Sequence, residues 1–291
     1  MKHLCRAVSE LARYLQLNLF PERLLLNPSG QKMTRVQPHH CVVSLTTIPA
    51  RIHRISPTIR SILTQTVKPN VIYLNIPQIS KRQNQTNRFP QKILALDEVR
   101  LLWTEQDWGP ATKLLPLLQQ GLSPDTPIIV IDDDQIYPRR LVETYLYYAH
   151  QYSNAALCLA GWQVPPDFCH QQRIPVEGAR TRLIDRPANV LEFPQSVDNI
   201  QGASSYLERP RFFEHTIFNY NTAPSAAFFV DDIWISGHLA KNKISRLVIP
   251  GSFTYARIQS LTSFRTLSLC KAENINGQNN QILYRFFQQD L

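Results

Sequence analysis

A chain of 291 residues, 43% hydrophobic and 18% charged, has the composition of a soluble globular protein able to bury a sizeable core. Nine glycines against 21 prolines argue for fixed turns over flexible linkers, and no apolar run is long enough to span a membrane as a helix. The net charge of +9 favours anionic partners such as nucleoside diphosphates or an acidic membrane surface, but the basic residues stand in scattered pairs, Lys81-Arg82 and Arg139-Arg140, which disfavours nucleic acid.

Five cysteines, Cys5, Cys41, Cys158, Cys169 and Cys270, are odd in number and lack CxxC spacing, so a reduced, cytoplasmic setting is expected. Residues 1–27 carry apolar positions at near-helical spacing broken by charges, without the continuous core of a secretory signal. They read as a helical arm packed on the body, with peripheral docking to the inner face of a membrane as the second option. Residues 27–40 read as a polar connector, so 1–40 stand apart from the main domain.

That domain opens with a predicted strand at 41–47, CVVSLTT, followed by a helix over 57–66 with Ser56 as its cap. Strands follow at 71–76 and 99–103, with a polar loop at 81–88 between them. Gly109-Pro110 introduces a helix, ATKLLPLLQQ, stopped by Gly121. A fourth strand at 128–131, an aromatic-rich helix at 139–152 and a fifth strand at 155–160 complete the alternation. Strand and helix in turn predict an α/β domain with a mostly parallel, doubly wound sheet. Beyond Trp162 the pattern turns irregular, with short strands near 189–193 and 246–249 bracketing a helix that starts at Asp231-Asp232. The expected division is 41–160 as a nucleotide-type half and 161–291 as an acceptor-type half of one domain.

The sharpest chemical signal is PIIVIDDDQIYP, residues 127–138. Four branched aliphatics fit a strand buried on both faces, and its carboxyl end is where open α/β sheets place their ligands. Alternation along an extended chain would point Asp132 and Asp134 the same way, able to share one cation. Hard oxygen donors suit Mg2+ or Mn2+ and leave open positions for phosphate oxygens. The same residues also suit a plain helix cap ahead of Pro138.

SLTTIPARI with SILTQTVKPNVIYLNIP, then DWGPATKLLP, IDDD and FFVDDIWISGHL, resemble in order the motifs of bacterial, family-two-like nucleotide-sugar glycosyltransferases of the GT-A fold. The resemblance spans roughly residues 41–250. It implies a GT-A-like single domain that moves a sugar, with inversion, from a nucleotide sugar (a UDP-sugar first) to a glycan or lipid-linked saccharide. The metal motif falls on Asp132 and Asp134, with Asp133 between them beside the donor. The base falls on Asp231 or Asp232, where the family more often shows a glutamate–aspartate pair, and the second acid is favoured.

Thr46, at the end of the first strand, and Arg51, just after it, are candidates for contacting the nucleotide. Lys113 stands in the first turns of its helix, where anions are favoured, or is a solvated lysine. Asp107 could pair with Lys113, contact the donor, or cap that helix. Gly202, in QGASSY, lines the sugar pocket by resemblance or simply makes a tight turn. His238 is a possible third metal ligand, though a lone histidine is more often structural. A nucleotidyl- or phosphotransferase would use paired carboxylates too. A basic binding protein with acidic helix caps is the non-enzymatic reading. Missing GxSxG, GxGxxG and Walker A strings take the main support from hydrolase, dinucleotide and P-loop readings.

Overall fold

The computed structural model describes residues 2–19, 41–87, 93, 96–164, 184–187, 191–251, 274, 277–288 and 290. The apolar runs become strands: β1 (Val42–Thr46), β2 (Val71–Pro77), the small hairpin β3 (Ile79–Ser80) and β4 (Gln85–Thr86), then β5 (Val99–Thr104) and β6 (Ile128–Val130). After them come β7 (Ala155–Cys158), β8 (Ala160–Gln163), β9 (Ile184–Pro187), β10 (Gln195–Ser196), β11 (Asn199–Ile200), β12 (Tyr206–Glu208) and β13 (Ser245–Val248). Eight of these form one sheet in the order β10-β13-β7-β12-β6-β1-β2-β5.

β1 runs parallel to both β2 and β6, β2 to β5, and β13 to β7. β12 is antiparallel between β6 and β7, and β10 is antiparallel at the edge. The mostly parallel α/β sheet expected from the alternation is therefore present. Ile128, Ile129, Val130 and Ile131 are fully buried, as a strand covered on both faces requires. The chain moves outward from β1 through β2 to β5, then returns to lay β6 on the other side of β1. Their carboxyl ends flank the crevice where such sheets bind ligands.

The helices are α1 (Lys2–Leu19), α2 (Ser56–Leu63), α3 (Leu115–Leu118), α4 (Leu141–Gln151), α5 (Asp231–Lys241) and α6 (Gln278–Phe286). α1 packs on α2, where buried Arg13 donates to the Ser61 carbonyl, and none of the described helices is long and apolar enough to cross a membrane. α6 lies on α5, where a Cβ at Gly237 would overlap the ring of Phe287.

Several local expectations are corrected. Ser56 is the first residue of α2 and caps nothing; its hydroxyl accepts from Arg60 Nε at 3.3 Å. The predicted helix at 111–120 is a 3-10 segment, Gly109–Lys113, followed by the single turn of α3, because Pro116 has no N–H to carry helical bonds through it. The strand predicted at 155–160 splits: β7 stays in the main sheet while β8 joins a three-stranded sheet, β11-β8-β9. Residues 191–193 are not a strand, and β10 follows them instead; 189–190, the connector at 27–40 and the irregular stretch at 165–183 lie outside the described residues.

Candidate active site

Ile131 makes the last ladder contact, donating its N–H to the Ser44 carbonyl at 2.9 Å, after which the chain leaves the sheet and Asp133 and Asp134 form a turn. The alternation expected to align Asp132 with Asp134 stops there. Each aspartate acquires its own partners instead. Asp132 Oδ1 accepts from Lys113 Nζ at 2.8 Å, and its backbone N–H donates to the Tyr137 hydroxyl at 2.8 Å. Asp133 accepts the Thr47 hydroxyl and pairs with Arg51 Nη2 at 3.2 Å. Asp134 faces Arg51 Nη1 at 3.4 Å and accepts from Gln135 Nε2 at 3.2 Å.

Burial and the neighbouring carboxylates push Asp134 up to about 6. Burial also raises Asp133, against the opposing pull of Arg51 and Thr47. For Arg51 burial works against the charge, but Asp133, Asp134 and Asp132 outweigh it and hold the guanidinium ionised.

A second acidic pair enters from α5, whose first turn contains Asp231 and Asp232, the favourable end of a helix for negative charge. Lys113 joins the two groups: its Nζ lies 3.1 Å from Asp231 Oδ2, an ion pair not aligned as a hydrogen bond, while still bonded to Asp132. Lys113 is only 4% exposed. Burial disfavours its charge, but the two aspartates more than offset this and raise its pKa. Asp232 is half-buried; its Oδ1 accepts from Ile233 N–H at 3.0 Å, and burial together with Asp231 pushes it up to about 7.

Gly202 sits against this junction. A Cβ there would stand 3.3 Å from Lys113 Nζ, 3.6 Å from Asp231 Oδ2 and 3.7 Å from Asp232 Cβ. Its value is bare space beside the charges, not a left-handed turn.

The structure thus gathers Arg51, Lys113, Asp132, Asp133, Asp134, Gly202, Asp231 and Asp232, and leaves three predicted residues aside. Thr46 spends its hydroxyl on the Asn75 carbonyl at 2.7 Å, and it is Thr47 that reaches Asp133. Asp107 ties a turn: its oxygens accept from Gly109 N–H at 2.8 Å and Lys81 N–H at 2.7 Å, and it forms no ion pair with Lys113. Gly109 completes that turn with a φ of +63°, where a Cβ would collide with the Phe228 carbonyl. His238 is wedged between aromatic rings, 4.6 Å from Trp234 and 5.5 Å from Phe287, and burial with nearby Lys241 lowers its pKa to about 4. Among the described residues, no three His, Cys, Asp or Glu side chains are grouped to hold a metal.

Oxygen donors nevertheless fit a hard divalent cation in kind. Five aspartates face two cationic side chains here, an excess of negative charge. The Asp132 and Asp134 side chains, 28% and 19% exposed, are more open than those of Asp133 (3%) and Asp231 (11%).

Residues that sequence reasoning missed include Tyr137, within the acidic motif itself, and Tyr206, whose ring centroid is 5.8 Å from Lys113 Nζ. Among the described residues, the buried Tyr206 and Tyr220 hydroxyls have no hydrogen-bond partner, and burial with nearby Asp231 keeps both phenols protonated. Only the small-residue loop before Tyr206 hinted at this wall.

No protein-family profile matches the chain, and no curated protein sequence matches it. Among solved structures it is similar to a crystal structure of 4-diphosphocytidyl-2C-methyl-D-erythritol synthase, with a TM-score of 0.45 and 12% identity over 81% of this chain and 98% of that one. It is also similar to residues 1–349 of S. aureus TarS, with a TM-score of 0.43 and 11% identity, covering 72% of this chain and 60% of that one.

Proposed function

We propose that the chain is a GT-A-like glycosyltransferase that moves a sugar from a nucleotide sugar, a UDP-sugar first, to a hydroxyl of a glycan or lipid-linked saccharide, with inversion. The observation that carries this reading is the convergence of two acidic pairs of different character on one buried lysine. Asp132 and Asp134 would hold Mn2+ or Mg2+, which when bound would neutralise charge on the leaving diphosphate.

The chain's own residues do the rest. Arg51 and Thr47 fix Asp133, and with it the turn that carries Asp132 and Asp134. Asp231 is engaged by Lys113, whereas Asp232, raised to about 7, is the better base near neutral pH. As the acceptor oxygen bonds to the anomeric carbon, its proton passes to Asp232. The bond from that carbon to the diphosphate breaks, and its electron pair leaves with the diphosphate.

Calorimetry with UDP, GDP and CDP, with and without Mn2+, followed by product analysis with the matching nucleotide sugars, tests this. Mn2+-dependent binding with release of free nucleoside diphosphate is the expected result. Release of inorganic diphosphate with a nucleotide joined to the acceptor would identify a nucleotidyltransferase instead. No nucleotide binding at all would leave a basic binding protein.

A further inference from the structure

Lys113 is held from below as well as from above. Its carbonyl oxygen accepts from the Ser44 hydroxyl at 2.5 Å and from Asn75 Nδ2 at 3.3 Å, so β1 and β2 fix its backbone. Its ammonium then spans Asp132 and Asp231, in a slot kept open by the missing side chain of Gly202. A lysine anchored at both ends and this deeply buried is poorly placed to wait in solvent for a phosphate. It already occupies the place where positive charge is needed.

We propose that Lys113 is the resident counter-ion of Asp132, as Arg51 is of Asp134, so that a divalent cation reaching Asp132 must displace the Lys113 ammonium, which stays tethered to Asp231. This rests on the metal-dependent reading above and adds a consequence for binding order. A cation arriving alone meets the repulsion of Lys113. A cation arriving with a nucleoside diphosphate brings negative charge that compensates both. Metal and nucleotide therefore bind cooperatively, and Lys113 is the positioning residue that makes them do so, linking the occupancy of Asp132 to the freedom of Asp231.

Mn2+ titrations followed by the electron paramagnetic resonance of the free ion, with and without UDP, test this on the full chain and on Lys113→Met. Mn2+ alone should bind the variant about tenfold or more tighter than the wild type, and the gain in Mn2+ affinity on adding UDP should shrink. If Mn2+ alone binds the variant no tighter, while both proteins bind Mn2+ with UDP, the counter-ion role is wrong. If neither protein binds Mn2+ under any condition, the metal-dependent reading itself falls. Should Lys113→Met fail to fold, Lys113→Gln and the wild type carry the test. Labelling of the Lys113 amine, read by peptide mass spectrometry, should then rise on Mn2+ saturation, and unchanged labelling overturns the proposal.

Discussion

The two acidic regions of the site are built differently. The loop after β6 is braced on every side: Thr47, Arg51, Gln135 and Tyr137 each bond one of its aspartates, and Thr58 donates to the Asp133 carbonyl at 2.9 Å. Among the described residues, the pair opening α5 has one cationic partner, Lys113, and otherwise faces phenols, the Gly202 backbone and its own helix. The first arrangement suits carboxylates that hold a fixed charge in place. The second suits a carboxylate whose proton comes and goes. If this contrast is functional, substitutions in the two regions should separate binding from turnover.

The largest separation is expected from Asp232→Asn. Removing a general base typically lowers rate by about a hundredfold or more, and here nucleotide affinity should stay within about twofold because the β6 loop is untouched. A single-turnover rate measured beside calorimetry decides it. Equal losses in rate and affinity would collapse the contrast, and full turnover in both Asp231→Asn and Asp232→Asn would remove the base altogether.

The pH profile sharpens the same point. A base must be deprotonated to work, so with Asp232 raised to about 7 the rate should climb through the acid range, reach half its maximum near pH 7 and level above it. That limb should vanish in Asp232→Asn. Stability runs the other way. A carboxylate whose folded pKa is raised binds protons more tightly in the folded state, so its contribution is lost as pH rises from its ordinary value near 4 toward 7. Asp232→Asn should therefore be the more stable protein at pH 7, by something of order 1 kcal/mol, discounted because the side chain is partly exposed. Denaturant melts at pH 5 and pH 7 read this directly: the advantage of the variant should be the smaller at pH 5.

On the loop side the expected effects are smaller. Asp134→Asn removes an anionic ligand and should weaken Mn2+-dependent UDP binding about tenfold, with the pH limb of Asp232 kept. Gly202→Ala tests the junction. Its Cβ would press on Lys113 Nζ from 3.3 Å, and because two aspartates hold that ammonium it cannot simply swing aside. A severalfold change in both rate and UDP affinity is expected, since this is the one position tested that touches both regions.

How much of this could be read in the residues differs along the chain. Ile128 to Ile131 announced a doubly buried strand because an unbroken branched run has few other homes, and DDD at its end announced charge at a ligand-binding edge. Asp231-Asp232 likewise marked a helix start. What sequence could not supply was distance across the fold. Lys113 lies 19 positions before Asp132 and 118 before Asp231, and nothing local distinguishes it from a solvated helix-face lysine. His238 shows the opposite case: its spacing from Asp232 could not reveal that Trp234 and Phe287 pack against its ring. Thr46 missed by one residue, the cost of choosing a face in a strand whose register was not yet fixed.

The smallest effect expected comes from the far side of the loop, where α1 enters. Arg13 donates to the Tyr137 carbonyl at 2.8 Å, to the Ser61 carbonyl at 2.7 Å and to the Thr64 hydroxyl at 2.8 Å. Tyr137 in turn accepts the Asp132 N–H. The arm that reads as an appendage is thus two hydrogen bonds from Asp132. Arg13→Met should cost about 1–2 kcal/mol, because the Tyr137 carbonyl loses its Arg13 donor while the Ser61 carbonyl keeps Gln65 Nε2 at 2.9 Å, and Tyr137→Phe about 1 kcal/mol for one lost bond. Both should loosen only the loop: UDP affinity with Mn2+ falls slightly more than stability alone explains, while the rate at saturating donor and its pH limb stay unchanged. A shift of that limb in Tyr137→Phe would mean the two acidic regions are one electrostatic unit, and the division between binding and proton transfer would have to be given up.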